Sequence, residues 1–129
     1  MAANTSPIFP LTGHDGGIAV GLLTAAVSAG TGATDAYTAS ADGGRVTHLS
    51  FTPAEHINTG GWIHVYYYNG TSNILMKNIK IPASWSMDET LVWAVVEPDH
   101  IINGTRVIRV GKTGTSGVIH CYPYASDYV

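Results

Sequence analysis

The chain has 129 residues, of which 45% are hydrophobic and 12% charged, with a net charge of −3 and a pI near 6.0. That length suits one domain able to bury roughly two-thirds of its unfolded surface, and the charge balance gives nothing that draws the chain to nucleic acid or to an anionic membrane. The charged share is about half the usual one, so surface covered by partners is expected; the competing reading is a monomer with a Ser, Thr, Asn and Gly exterior.

Residues 1–17 read as an extended N-terminal arm. Pro7 and Pro10 remove backbone donors and bias the segment toward extended structure. Ile8, Phe9 and Leu11 give the arm apolar side chains to dock on its own domain or on a neighbour. No basic and apolar leader is visible, so no secretory signal is expected. The sequons at Asn4, Asn69 and Asn103 then read as turn chemistry. Residues 18–27 are an apolar run in which periodicity does not separate helix from buried strand; the nearby Gly30 and Gly32 favour strand. A short strand follows at 35–40, then a turn at Ala41-Asp42-Gly43-Gly44. In the strand expected over 45–51, Leu49 and Phe51 share one face and His48 and Ser50 the other. Residues 53–61 read as a loop.

Residues 62–81 carry the strongest local signal. A dense run of aromatic and β-branched residues over 62–68 leads into Asn69-Gly70-Thr71-Ser72, which tolerates positive φ, and a second strand returns over 73–81. The apolar residues of that return strand change phase, which predicts a slip or bulge. Residues 82–88 connect onward and include Trp85. Strands are expected at 91–96, stopped by Glu97-Pro98-Asp99, at 105–110 with Arg106 and Arg109 displayed, and at 118–124 after a glycine-rich turn over 111–117. About eight strands, closely spaced turns and no helix predict an all-β fold: a single-domain antiparallel β-sandwich, jelly-roll-like, over 18–129.

The residue types needed for chemistry are present without the spacing. None of the six histidines has zinc-site spacing, although strands can bring His48, His64 and His120 together across a sheet. Surface or interface roles are the expectation for them. Asp88-Glu89 reads as a solvated strand entry, and Gly13-His14-Asp15 lacks a nucleophile placed to complete a triad. The single cysteine, Cys121, lies in a strand-like run and reads as a buried apolar residue. The chain is therefore expected to be no enzyme, with no metal and no cofactor.

Exposed aromatics remain. Trp62, His64, Tyr66 and Tyr68 share one face of the first hairpin strand, and Ile63, Val65 and Tyr67 share the other. The second set fills a core. The first is expected to bury itself at a protein interface; packing inside the sandwich and stacking on sugars are the alternatives.

The opening MAANTSPIFPLT resembles the start of a family of small virion structural proteins of tailed phages. The resemblance continues at Gly43-Gly44-Arg45-Val46, over 65–72 where a strand meets an Asn-Gly turn, and at Ser126-Asp127-Tyr128. It implies a head decoration, or cement, protein on the exterior of the capsid, with the major capsid protein as partner and no catalytic residues. In that picture Pro7, Ile8, Phe9, Pro10 and Leu11 anchor the chain, and the body associates as a homotrimer on threefold lattice positions. The alternatives are a carbohydrate-binding module of a tail or fibre, using Trp62, Tyr66 and Tyr68, and a cupin-type metal enzyme.

Overall fold

The computed structural model describes residues 10–14, 17–88, 91–93, 100–102 and 104–128. The strands are β1 (Pro10–His14), β2 (Ile18–Ala19), β3 (Gly21–Leu22), β4 (Thr34–Thr38), β5 (Gly44–Pro53), β6 (Gly61–Tyr68), β7 (Asn73–Ile81), β8 (Leu91–Trp93), β9 (His100–Ile102), β10 (Val107–Thr113) and β11 (Ile119–Tyr128). They form two sheets packed as a β-sandwich. The first runs β1-β11-β5-β8, with β2 also on β11 and β9 also on β5. The second runs β3-β10-β6-β7, with β4 also on β10. All the pairings are antiparallel except β3 with β10.

The core lies between the sheets. The first contributes Val46, Leu49, Phe51, Ile119 and Cys121, and the second Ile63, Val65, Ile108 and Val110, all buried. Trp85 is buried among them, its backbone bonded in both directions to that of Ile57. Tyr37 on β4 links the two layers by donating its hydroxyl to Asp127 Oδ1 on β11 at 2.6 Å. Gly44 makes room for that link, because a Cβ there would collide with the Tyr37 hydroxyl.

The hairpin forms as its sequence dictates. Asn69 Oδ1 accepts from the backbone N–H groups of Thr71 and Ser72, each at 3.0 Å, and Gly70 takes a φ of 94°. The slip is also present: Val65 pairs with Lys77 but Tyr66 pairs with Leu75, leaving Met76 as the extra residue. A second bulge falls at Thr47, since Tyr124 pairs with His48 and Ala125 with Val46. It lets both Val46 and Leu49 face the core.

The structure differs from the sequence expectation in several stretches: β9 (His100–Ile102) was not expected, and β11 runs on to Tyr128. Residues 18–27 are not one strand: β2 joins the first sheet, Val20 crosses between the layers, and β3 joins the second. Only Val20 and Leu23 of this run are buried, so the crossing is anchored at two positions while Ala19, Leu22, Thr24, Ala25 and Ala26 stay exposed. Residues 10–14, expected within the arm, pair as β1 with β11, while Pro7, Ile8 and Phe9 lie outside the described residues. The glycine-rich turn begins later than residue 111. β10 continues to Thr113 by pairing with β6 as far as Trp62, and Leu23 packs its side chain where a Cβ on Gly111 would stand.

Candidate functional site

The aromatic face of β6 is covered by the chain itself. Trp62 is 44% exposed, but His64 is 4% exposed and Tyr66 is fully buried. His64 donates from Nδ1 to Asn78 Oδ1 at 2.6 Å, and its Nε2 pairs with the Thr113 hydroxyl at 2.8 Å. Tyr66 lies under the loop that follows β3 and donates its hydroxyl to the carbonyl of Val27 at 2.6 Å. That burial pushes its phenol pKa upward, because the phenolate would lose its solvation. Gly30 holds the loop down: its φ is 66°, and a Cβ there would meet the Tyr66 ring at 3.1 Å. Asn73 fastens the loop from the other side, donating Nδ2 to the carbonyl of Ala29 at 3.1 Å.

Tyr68 is half-buried under Arg109, whose guanidinium carbon stands 4.1 Å from the ring centre. Arg109 also donates to Asp35 Oδ1 at 2.7 Å and to Asn73 Oδ1 at 3.0 Å. The expectation that Trp62, His64, Tyr66 and Tyr68 form one outward surface is therefore corrected. The period-two reading placed them on one side of the strand, but residues 24–33 and Arg109 pack over that side. Of the arm residues, Pro10 and Leu11 fall in β1, with an irregular register between Pro10 and Thr12.

A different strand presents aromatics. Outward positions on β11 are His120, Tyr122 and Tyr124, continuing the parity of the exposed Val118 just before the strand. Tyr122 is 40% and Tyr124 45% exposed. Their cross-strand neighbours on β5 are Thr52, Ser50 and His48. His48 stacks on Tyr124 with ring centres 4.0 Å apart and planes 18° from parallel. Tyr122 meets Tyr124 edge to face at 5.2 Å and 63°. Thr47 donates its hydroxyl to the Tyr124 carbonyl at 2.9 Å, which ties the bulge to the strand carrying the rings. The platform is rigid because each ring is fixed by another ring or by the ladder beneath it.

Grooves flank Tyr122. One, of about 370 Å³, is lined by Gly17, Ile18, Ala19, Ser50, Thr52 and His120 beside Tyr122 and Cys121. The other, of about 320 Å³, runs past Thr47, Pro123, Tyr124, Ala125 and Ser126. β11 creates the opening between them. β2 pairs with it at residues 120–121 and β1 at 125–128, so Pro123 falls in the gap between those two partners. A residue without an N–H fits where the ladder is interrupted.

The remaining candidates for chemistry stay apart. His48 and His120 are on the first sheet and His64 on the second, and no cluster of three metal-ligating side chains occurs among the described residues. Asp88 is exposed, while Asp15 and Glu89 lie outside the described residues. Cys121 is buried, and desolvation pushes its thiol up to about 12, away from the reactive thiolate. Lys112 is buried with Nζ donating to the Gly117 carbonyl at 2.6 Å; desolvation pushes its pKa down, partly opposed by Glu55. No family model, curated protein or solved structure matches the chain.

Proposed function

We propose that the chain is a decoration protein of a phage head, binding the outer face of the assembled capsid through protein–protein contacts and stabilising the shell. The observation that carries this reading is the apolar edge of the second sheet. Among the described residues β7 pairs with β6 alone, which leaves nine residues of strand with one open side. At its start Ile74 is 49% and Leu75 38% exposed. A long open edge bearing exposed aliphatic side chains is a template for another strand, and Lys77 and Lys80 further along restrain indiscriminate pairing. A partner strand from the capsid protein, added to β7, satisfies the open backbone groups and covers Ile74 and Leu75. Binding the assembled shell in preference to free subunits stabilises the shell by mass action. A homotrimer on threefold positions places the same contact at every lattice site.

The test uses empty heads that lack the protein. Leu75→Lys and, separately, deletion of residues 2–9 are each added to such heads and followed by co-sedimentation. Leu75→Lys is expected to weaken binding by about tenfold or more, through lost apolar contact and a buried charge. Deletion of 2–9 stops short of β1 and tests the anchoring role given to Pro7, Ile8 and Phe9. Unchanged binding of both variants, or failure of the native chain to sediment with heads, rejects the reading.

A further inference from the structure

We infer that the outer face of β5 and β11 is a binding site for a neutral oligosaccharide, with Tyr122 and Tyr124 as its stacking platform. This site lies on the opposite sheet from the β7 edge, and the inference does not depend on the decoration reading.

The chemistry of the face selects the ligand. A sugar ring offers apolar C–H groups on its faces and hydroxyls around its rim. The face offers the complement: two phenol rings at 40% and 45% exposure, with Thr52 and the imidazoles of His48 and His120 beside them and Ser50 buried opposite Tyr122. Stacking on an aromatic ring removes C–H surface from water, and the flanking hydroxyls and ring nitrogens exchange hydrogen bonds with the rim. Neither groove has an Asp, Glu, Lys or Arg in its lining among the described residues, and Arg45, opposite Ser126 in the register, is outside both linings. That absence selects a neutral glycan over an anionic one.

The geometry is that of a prepared site. Tyr124 is stacked on one face by His48 and meets Tyr122 at 63°, so little rotamer freedom remains to be lost on binding. The two grooves, about 370 and 320 Å³, meet at Tyr122, and each lies in the size range of small-molecule sites. A ligand crossing both stacks on Tyr122 and continues onto Tyr124, which favours an oligosaccharide over a single sugar. Gly17 keeps the wall low beside Tyr122, since a Cβ there would stand 3.6 Å from the ring. The bulge at Thr47 and the ladder gap at Pro123 both fall at this point of the sheet.

The experiment is saturation-transfer NMR on the isolated full chain with soluble oligosaccharides built from glucose, galactose, mannose or N-acetylglucosamine, alongside sialylated and sulfated counterparts. At least one neutral oligosaccharide is expected to receive saturation, with its ring C–H protons the most strongly affected. Tyr122→Ala and Tyr124→Ala are each expected to weaken binding by at least about tenfold, a typical consequence of losing one stacking ring. Trp62→Ala, on the other sheet, is expected to leave it unchanged. Circular dichroism and the denaturation midpoint check that the variants fold, and Tyr122→Phe, which keeps the ring, is expected to retain binding. No transfer to any neutral oligosaccharide at millimolar concentration overturns the proposal, as does preference for the anionic set or binding that survives both alanine variants. Loss of head binding in Tyr122→Ala without any glycan binding also overturns it, and assigns the face to a protein partner.

Discussion

Two strands of this protein carry the same alternation of aromatics and histidine, and the fold treats them in opposite ways. On β6 the run Trp62, His64, Tyr66, Tyr68 is largely closed over by residues 24–33, by Asn78 and by Arg109. On β11 Tyr122 and Tyr124 are 40% and 45% exposed, with His48 stacked on Tyr124. The first set serves stability and the second is available for recognition. An aromatic stripe is thus no sign of a binding face until the loops that pass over it have been placed.

The comparison breaks most easily at Tyr66. Tyr66→Ala is expected to cost about 3–5 kcal/mol, because it empties a fully buried site and leaves the Val27 carbonyl without its donor. Tyr124→Ala is expected to cost about 1 kcal/mol or less, as at other exposed sites. Urea unfolding of the two variants measures both, and equal losses end the distinction between the strands.

The next test sets the inner side of β11 against its outer side. Cys121 faces the core next to the outward Tyr122, and its thiol is raised from 9.0 to about 12. A raised folded-state value means that the native state holds the proton more tightly than the unfolded chain does. The stability this supplies is complete below pH 9 and is lost as pH rises toward 12, up to about 4 kcal/mol. Cys121→Ala removes this contribution, so the stability difference between native chain and variant is expected to shrink steadily over that alkaline window. A difference that does not change with pH places the thiol in contact with water.

Smaller effects separate the loop from the rings beneath it. Gly30→Ala is expected to cost about 1–3 kcal/mol, through its positive φ and the clash with Tyr66. It is also expected to speed amide exchange in residues 24–33, and unchanged exchange contradicts the role given to Gly30 as the loop's anchor. Tyr68→Ala is expected to cost about 0.5–1 kcal/mol, the size of a partly exposed cation–π contact with Arg109. Arg109→Ala made with and without it forms a double-mutant cycle, and a coupling of zero removes Arg109 from the cover over β6.

Much of the fold was legible in the residues. Asn69-Gly70 placed the hairpin turn, and the change of phase in residues 73–81 announced the bulge at Met76. Leu49 and Phe51 were correctly read as one face of β5 and are fully buried. The binding face was harder to see. Val118, His120, Tyr122 and Tyr124 alternate as clearly as the β6 run, but the strand expected over 118–124 ends near Pro123 in the sequence reading, which assigns it no faces. In the structure Pro123 instead occupies a gap in the ladder of an interior strand. Residues 18–27 misled because their apolar string suggests one continuous strand, whereas two short strands join different sheets and only Val20 and Leu23 are buried.

The sequence by itself determined the local pairings: which segments are extended, where they turn, and which side chains of each strand point together. Those follow from φ preferences and from the two-residue period, both of which act over a few residues. Only the tertiary structure decided which outward faces meet water. That depends on contacts such as Val27 with Tyr66 and Arg109 with Tyr68, between residues 39 and 41 positions apart, and nothing local to either partner encodes them.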